Sequence, residues 1–267
     1  GTTRGTNALL TRTGARVAFV TTKGHGDLLR IGFQNRPDIF AIDIKKPEPL
    51  FETSIEIEER ILHDGTVEKA LNPDAARQQL LQIKQHGIDS LAICLMHSFK
   101  FPSHEILLES IAREVGFEEI SVSHRVAPAI RIIPRAYTTV LDAYLNPILR
   151  SYVNQIRTHL TDDSALALFS SSGALVPADQ FTGKDSILSG PAGGVVGFSK
   201  TAAATGITKS IGFDMGGTST DVSRFDGEYH YHYEVEKSGV FIVAPTLAIE
   251  TVAAGGGSIC EYDGKRF

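Results

Sequence analysis

The residues best placed to do chemistry lie in one stretch, Phe213-Asp214-Met215-Gly216-Gly217-Thr218-Ser219-Thr220-Asp221-Val222. A short apolar run, Ile211-Gly212-Phe213, ends in the carboxylate of Asp214, where a strand would leave the core. Gly216 and Gly217 permit backbone angles closed to other residues and let the chain pass close to a ligand. Their N–H groups, with that of Thr218, can converge on phosphate oxygens as a backbone nest. The hydroxyls of Thr218, Ser219 and Thr220 add donors. Asp214 and Asp221 cannot usefully face phosphate directly, so they make sense as partners of a hydrated Mg2+, which prefers carboxylates plus water. A plain β-hairpin turn would explain a bare Gly-Gly-Thr; Asp-x-Gly-Gly-Thr-x-Thr-Asp after an apolar strand is far more specific. No Gly-Lys-Ser/Thr follows, so this is not a Walker A loop.

Two further glycine-rich segments could serve the same ligand. Ser189-Gly190-Pro191-Ala192-Gly193-Gly194-Val195-Val196-Gly197 precedes a helical pattern, so free N–H groups at a helix start could bind an anion. Equally, Gly193, Gly197 and the run Ala202–Ala204 could simply allow close helix packing, and the segment fails the Gly-x-Gly-x-x-Gly spacing. Ala253-Ala254-Gly255-Gly256-Gly257-Ser258 carries three consecutive glycines, an entropic cost that a nucleotide-contacting loop or a flexible end would each explain.

Other polar groups are weighed against ordinary structural roles. His97, His104 and Glu105 bracket a loop containing Pro102, a spacing that fits no standard zinc motif; helix capping and backbone bonding account for them. His230, His232 and Glu234 would share one face of a strand, read as a solvated sheet face. His25, beside Asp27 and flanked by Gly24 and Gly26, could line a substrate pocket. Arg131 and Arg135, around Pro134, could grip a substrate carboxylate with their bidentate forks, or form structural ion pairs. No Ser/His/Asp order or Cys/His pair argues for covalent catalysis.

These groups need a scaffold. The 267 residues suffice for one large domain or two ordinary ones, and 42% hydrophobic with 21% charged residues is a soluble globular composition. A net charge of −5 and a pI near 6.0 give no reason to expect nucleic acid or an anionic membrane. The longest apolar runs, such as Leu91–Met96, are strand-length and too short to span a bilayer. Two cysteines make no disulfide framework, and with no secretion signal a reducing cytoplasm is expected. The chain begins Gly1-Thr2-Thr3 within sequence that already reads as structured, so a piece of a longer polypeptide is expected.

Periodicity predicts a buried strand over 16–21, a loop-rich excursion over 38–51 with Pro37, Pro47 and Pro49 at or near it, and a half-buried strand over 54–62 ending at Asp64-Gly65. A helix follows Asn72-Pro73, then a strand over 90–96, a helix over 103–115 and a strand over 119–123. This alternation is the βαβ signature of a parallel or mixed sheet. The longest helical stretch, 138–159, contains Pro147, which predicts a kink or a break into two helices. A strand over 165–169, the helix entered at Gly190–Ala204, and strands over 210–214, 222–225, 229–235 and 240–243 complete the pattern. A subdomain boundary is placed near residues 130–165.

Taken together, several motifs resemble the hydantoinase A / 5-oxoprolinase family. They are Gly1-Thr2-Thr3-Arg4-Gly5-Thr6-Asn7-Ala8-Leu9-Leu10, His97-Ser98 with His104-Glu105, Leu188–Gly197, Phe213–Val222 and Ala254–Ser258. Ala129–Arg135, Val222-Ser223-Arg224 and Thr251–Gly255 are similar to its 5-oxoprolinase branch. The resemblance implies an α/β, actin-like (ribonuclease H-like) ATPase fold, here partial, with mixed sheets and flanking helices in two subdomains. Residues 1–135 would close the family's N-terminal region, and residues 136–267 would open its nucleotide-binding region. The implied activity is ATP-dependent opening of a cyclic amide, 5-oxoproline or a hydantoin, through phosphorylation of the lactam carbonyl oxygen. ATP and Mg are the implied cofactors. A hydantoinase B-like hydrolytic domain or subunit is the implied partner, with a homo-oligomeric full-length protein. A ketone carboxylase-type subunit and a non-catalytic actin-like scaffold are the rivals.

The family carries an earlier Asp-x-Gly-Gly-Thr-x-Thr-Asp that these residues lack, so half of a two-hairpin phosphate clamp is absent from them. The expectation is that these 267 residues alone turn over no lactam and bind Mg-ATP weakly at best; calorimetric titration showing sub-micromolar affinity would overturn it.

Overall fold

The structure, a computed structural model, describes residues 3–34, 39–40, 42–44, 46–161, 163–262 and 264. Gly1, Thr2 and Pro37, named above, lie outside the described residues. Helix α1 (Arg4–Thr11) lays Ala8 and Leu9 into the core and feeds β1 (Val17–Thr22), all of whose residues are buried. A short helix, α2 (Leu28–Ile31), and an excursion without regular structure among its described residues lead to β2 (Thr53–Ile57). The strand expected over 54–62 is thus two: at Glu58-Glu59 the chain leaves β2 and starts a hairpin of β3 (Arg60–Ile61) and β4 (Val67–Lys69) around Asp64-Gly65. Gly65 takes a φ of 93°, the left-handed turn geometry that favours glycine.

Helix α3 (Pro73–Gln85) starts as its sequence dictates. The Asn72 side chain accepts from the N–H groups of Asp74 and Ala75, and Pro73 sits where no donor is needed. Strand β5 (Ser90–Cys94), helix α4 (Ser103–Val115), strand β6 (Glu119–Val122) and the short helix α5 (Ser123–Val126) follow. The resulting sheet has the order β2-β1-β5-β6, parallel throughout. Its two central strands are buried on both faces, as covered parallel strands are. One face packs Leu80, Ile83, Leu108 and Ile111 of α3 and α4 against Ile93 and Val20. The other is covered by α6 (Ile132–Arg157).

Helix α6 corrects the expected break at Pro147. It runs through that residue and begins six residues earlier than its periodicity suggested. Proline removes the N–H that would have satisfied the Ala143 carbonyl. The hydroxyl of Ser90, on β5, donates to that carbonyl at 2.7 Å, so the helix continues because the sheet supplies the missing donor.

Beyond α6 come the hairpin of β7 (Ala167–Phe169) and β8 (Leu175–Pro177), a 3-10 turn at Gly183–Ser186, and helix α7 (Ser189–Ala204). Strands β9 (Ser210–Met215) and β10 (Thr220–Phe225) form an antiparallel hairpin. Strands β11 (Tyr231–Lys237) and β12 (Val240–Leu247) form another. Strand β13 (Glu250–Val252), which the sequence reading missed, adds to the far side of β10. Val240, Ile242 and Ala244 of β12 join Phe19, Leu141 and Leu145 in one core, so residues from both ends of the chain share it. The molecule is therefore mixed α/β, with a parallel sheet and flanking helices.

A buried polar network stiffens the carboxyl end of that sheet. Glu105 accepts from the backbone N–H groups of Leu95 (2.9 Å) and His124 (3.0 Å), the Ser123 hydroxyl (2.7 Å) and the His124 ring (2.7 Å). Burial alone would raise its pKa, but the hydrogen bonds from His124, Ser123 and Leu95 outweigh it and hold the carboxyl below its ordinary 4.5. A carboxylate with a depressed folded pKa stabilises the fold above its unfolded pKa, and the contribution disappears as pH falls through the folded value. Glu105→Ala should cost about 3–5 kcal/mol at neutral pH, because backbone donors are left buried and unpaired. Chemical denaturation of Glu105→Gln should show a deficit that shrinks below the ordinary 4.5. A deficit independent of pH would refute the assignment.

Candidate functional site

The hairpin of β9 and β10 places Asp214 and Asp221 directly opposite one another in the antiparallel register, on the same face. Thr251 of β13, opposite Asp221 on its other side, donates its hydroxyl to Asp221 Oδ1 at 2.8 Å. Gly216 N–H closes the turn onto the Ser219 carbonyl at 2.9 Å, leaving Gly217 and Thr218 at the tip. The N–H groups of Gly217, Thr218 and Ser219 donate to nothing among the described residues. That is the donor row expected of a phosphate nest.

One of the two roles expected of the hairpin glycines fails. Neither Gly216 nor Gly217 adopts a left-handed φ, so special backbone angles do not explain them. Close approach of backbone instead fixes a glycine in the neighbouring loop, Gly255. The loop Ala254–Ser258 lies on the hairpin, with Gly256 N–H donating to Gly216 O at 2.9 Å and Gly257 N–H to Gly217 O at 2.8 Å. A Cβ on Gly255 would sit 2.6 Å from Gly216 O and 2.8 Å from the Gly217 carbonyl carbon, a separation that real Cβ atoms do not show. A Cβ on Gly217 would meet nothing, so the chain's own packing does not require glycine there. Thr220, buried, donates its hydroxyl to Ala254 O at 2.6 Å, and Ser258 Oγ accepts from Gly255 N–H at 3.0 Å. The Thr220 hydroxyl ties the two loops together, and that of Ser258 closes the turn within 254–258. The segment 254–258 is thus part of the hairpin site.

The strand leading in is less buried than expected. Ile211, Phe213 and Met215 alternate on an exposed face with Val252, while Gly212 on the other face lies against Phe198 of α7. That contact, with only residues 205–209 joining the end of α7 to the start of β9, makes the two run antiparallel. Seven residues back along the helix from Phe198 is about 10 Å, and three forward along the strand from Gly212 is about 10 Å. The start of α7 therefore lies level with the hairpin tip.

Gly193 and Gly194, read as candidate anion donors, fall inside α7. From Ala192 onward the N–H groups are helical, Ala192 donating to Leu188 O, and Pro191 has none. The residues at the helix start with N–H groups not required by the helix are Ser189 and Gly190. Gly193 instead faces Phe169, whose ring a Cβ would meet at 3.3 Å, so the close-packing alternative fits it.

The predicted substrate residues do not gather at the hairpin. Arg135 is 0% exposed; its guanidinium donates to Leu95 O (2.7 Å), Ala129 O (3.0 Å) and the Cys94 sulfur (3.5 Å), and lies over the Phe99 ring. It braces the carboxyl end of β5 and cannot grip a substrate from there. Arg131 pairs with Glu234 on β11, the structural alternative. His25 is half-buried after β1, with its Nδ1 enclosed and unpartnered, in a loop whose Gly26 N–H donates to Glu56 at 2.7 Å. His97 bonds Ile61 O through Nδ1, and His104 pairs with buried Glu59, which also accepts from Thr22. Sequence reasoning missed Glu59; its only signal was a carboxylate adjoining a buried strand end. His230 pairs with Asp226 at 2.8 Å, and the register shift between His232 and Glu234 puts its extra residue on β12, so those two exposed residues keep the alternation of β11.

Among the described residues no group of three or more His, Cys, Asp or Glu side chains could hold a metal. Asp214 and Asp221 alone suit a cation that keeps most of its water, as Mg2+ does. They do not suit a caged metal.

Residues 1–116 match the family model described as hydantoinase/oxoprolinase N-terminal region, and residues 135–267 match that described as hydantoinase/oxoprolinase. The 5-oxoprolinase of Saccharomyces cerevisiae is 42% identical over all of this chain, which covers 23% of that protein. The caprolactamase subunit alpha of Pseudomonas jessenii is 30% identical over 98% of this chain and 39% of that protein. The crystal structure of ATP-dependent caprolactamase from the same organism superimposes with a TM-score of 0.88 at 28% identity, covering 99% of this chain and 40% of that one. A nucleotide-free acetone carboxylase structure superimposes with a TM-score of 0.77 at 23% identity, over 98% of this chain and 39% of that one, a likeness of fold alone. The chain spans less than a quarter of the 5-oxoprolinase it matches.

Proposed function

The chain belongs to the hydantoinase/oxoprolinase family, and from that premise we propose that it is the part of an ATP-dependent cyclic amide hydrolase that receives the nucleotide's phosphates. The observation that carries this reading is the stacked pair of glycine loops, 216–217 and 255–257, with unpaired N–H groups at 217–219 and two facing carboxylates beneath. The substrate we assign is a small lactam, 5-oxoproline before a hydantoin, on the identity to 5-oxoprolinases.

When bound, ATP supplies a phosphoryl group that turns a poorly electrophilic lactam into a reactive one. The chain's own share is positioning and charge neutralisation. Gly217, Thr218 and Ser219 N–H groups receive phosphate oxygens, and the Asp214–Asp221 pair holds hydrated Mg2+ in place. Thr251 orients Asp221, and Thr220 keeps the two loops in register.

Within this proposal, residues 1–135 belong to the N-terminal region and residues 136–267 open the nucleotide-binding region, a division the two family-model matches support. A hydantoinase B-like domain or subunit completes ring opening in a homo-oligomeric full-length protein; the relative designated subunit alpha supports a further subunit. The bare apolar face of Ile211, Phe213, Met215 and Val252 is consistent with more polypeptide covering this sheet. No helix among the described residues is long and apolar enough to cross a membrane. Free Cys94 and Cys260 accord with a reducing cytoplasm.

The test is ADP release by the complete protein across 5-oxoproline, hydantoin, caprolactam and acetone. Release dependent on a cyclic amide is expected. Release dependent on the ketone alone, or on none of the four, would reject the reading.

A further inference from the structure

A cavity of about 450 Å3 opens between α1, the second half of α6, β7 and the start of α7. Its volume lies in the range of small-ligand sites. Leu149, Val153, Phe169 and Phe181 make its walls predominantly apolar, and among the described residues Arg4 is the one charged residue lining it. The Arg4 guanidinium lies over the Tyr152 ring, 5.6 Å from its centroid, and has no carboxylate partner among the described residues. An arginine stacked on an aromatic ring keeps its planar donor fork presented edge-on for a carboxylate. The cavity wall includes Gly190 and Gly193 of α7, and the start of that helix is level with the tip of the phosphate hairpin.

Resting on the reading above, we propose that this cavity is the lactam site and that it takes a compact cyclic amide bearing a carboxylate. The ring fills the apolar part, the carboxylate pairs with Arg4, and the amide oxygen is left toward the hairpin side. Among the described residues no negative side chain lines the cavity to repel such an anion, and the neutral walls reward a small apolar ring. The volume exceeds that of a single five-membered lactam, which leaves room for water or for a transferred phosphoryl group. Gly193 keeps the cavity open, since any larger residue there presses on Phe169 at 3.3 Å.

The experiment is calorimetric titration of the complete protein with 5-oxoproline and with its uncharged analogue 2-pyrrolidinone, alongside ADP-release kinetics. Arg4→Met should weaken 5-oxoproline binding and raise its KM by at least tenfold. It should leave kcat, the KM for ATP and the weak binding of 2-pyrrolidinone unchanged. Gly193→Val should weaken both ligands. The inference is overturned if wild type binds no 5-oxoproline, if Arg4→Met binds both lactams like wild type, or if the KM for ATP rises in step. Arg4-dependent lactam binding without lactam-dependent ADP release would keep this site and reject the proposed reaction. ADP release indifferent to Arg4 would do the reverse.

Discussion

Asp214→Asn in the complete protein should lower lactam-dependent ADP release by about a hundred- to a thousandfold, the usual loss when one preorganised electrostatic partner of the reacting charge is removed. The substitution keeps size and shape and removes only the negative charge, so what disappears is the hold on hydrated Mg2+. Asp214 is exposed on the hairpin and makes no hydrogen bond among the described residues, so the melting temperature should stay at the wild-type value. Asp221→Asn should cost activity too, and it also perturbs the Thr251 contact at 2.8 Å, so its stability effect is the larger of the two. Raising Mg2+ concentration should recover part of the Asp214→Asn loss, because a weakened metal site responds to mass action. Turnover at the wild-type rate in ordinary Mg2+ would remove Asp214 from the site.

Much of the scaffold was legible because its signals are local. Asn72-Pro73 announces α3 through groups two and three residues away, and the strand–helix alternation from 90 to 122 follows from hydrophobic period alone. The features that escaped depend on partners distant in sequence. Pro147 reads as a breaker until Ser90, on another element, fills the lost donor. Glu59 and Glu105 look like ordinary surface acids until the fold buries them against His104 and His124. In the hairpin the residue types were read correctly and one reason for them was not: neither glycine needs special torsion angles, and the residue that packing holds to glycine is Gly255, nearly forty residues later, against the Gly216 and Gly217 backbone. The glycines of α7 read as an entry preceding the helix proper, because glycine is a poor helix former. Packing of Phe169 on Gly193 favours glycine inside the helix.

Gly255→Val should abolish nucleotide binding, with an affinity loss of about a hundredfold or more, while the molecule stays folded. The new Cβ would stand 2.6 Å from Gly216 O and 2.8 Å from the Gly217 carbonyl carbon, both of them backbone atoms. A flexible side chain could swing away, but backbone can yield only by separating the loops. Separation breaks the bonds Gly256 N–H to Gly216 O and Gly257 N–H to Gly217 O, and it draws Ala254 O away from Thr220. The N–H groups at the tip then lose the support that fixes their direction, and a displacement near 1 Å at a positioned site is worth about a hundredfold. Neither loop contributes to the main cores, which are built from β1, β5, α3, α4, α6 and β12, so the melting temperature should fall little. Gly217→Ala makes the internal control. Its Cβ meets no protein atom, so it leaves the loops paired and obstructs only a phosphate that approaches the tip. Both substitutions should therefore weaken Mg-ADP in calorimetry, and only Gly255→Val should also raise amide exchange at Gly256 and Gly257. Undiminished Mg-ADP affinity in Gly255→Val would show that the stacked loops are a structural clasp and that the phosphates bind elsewhere.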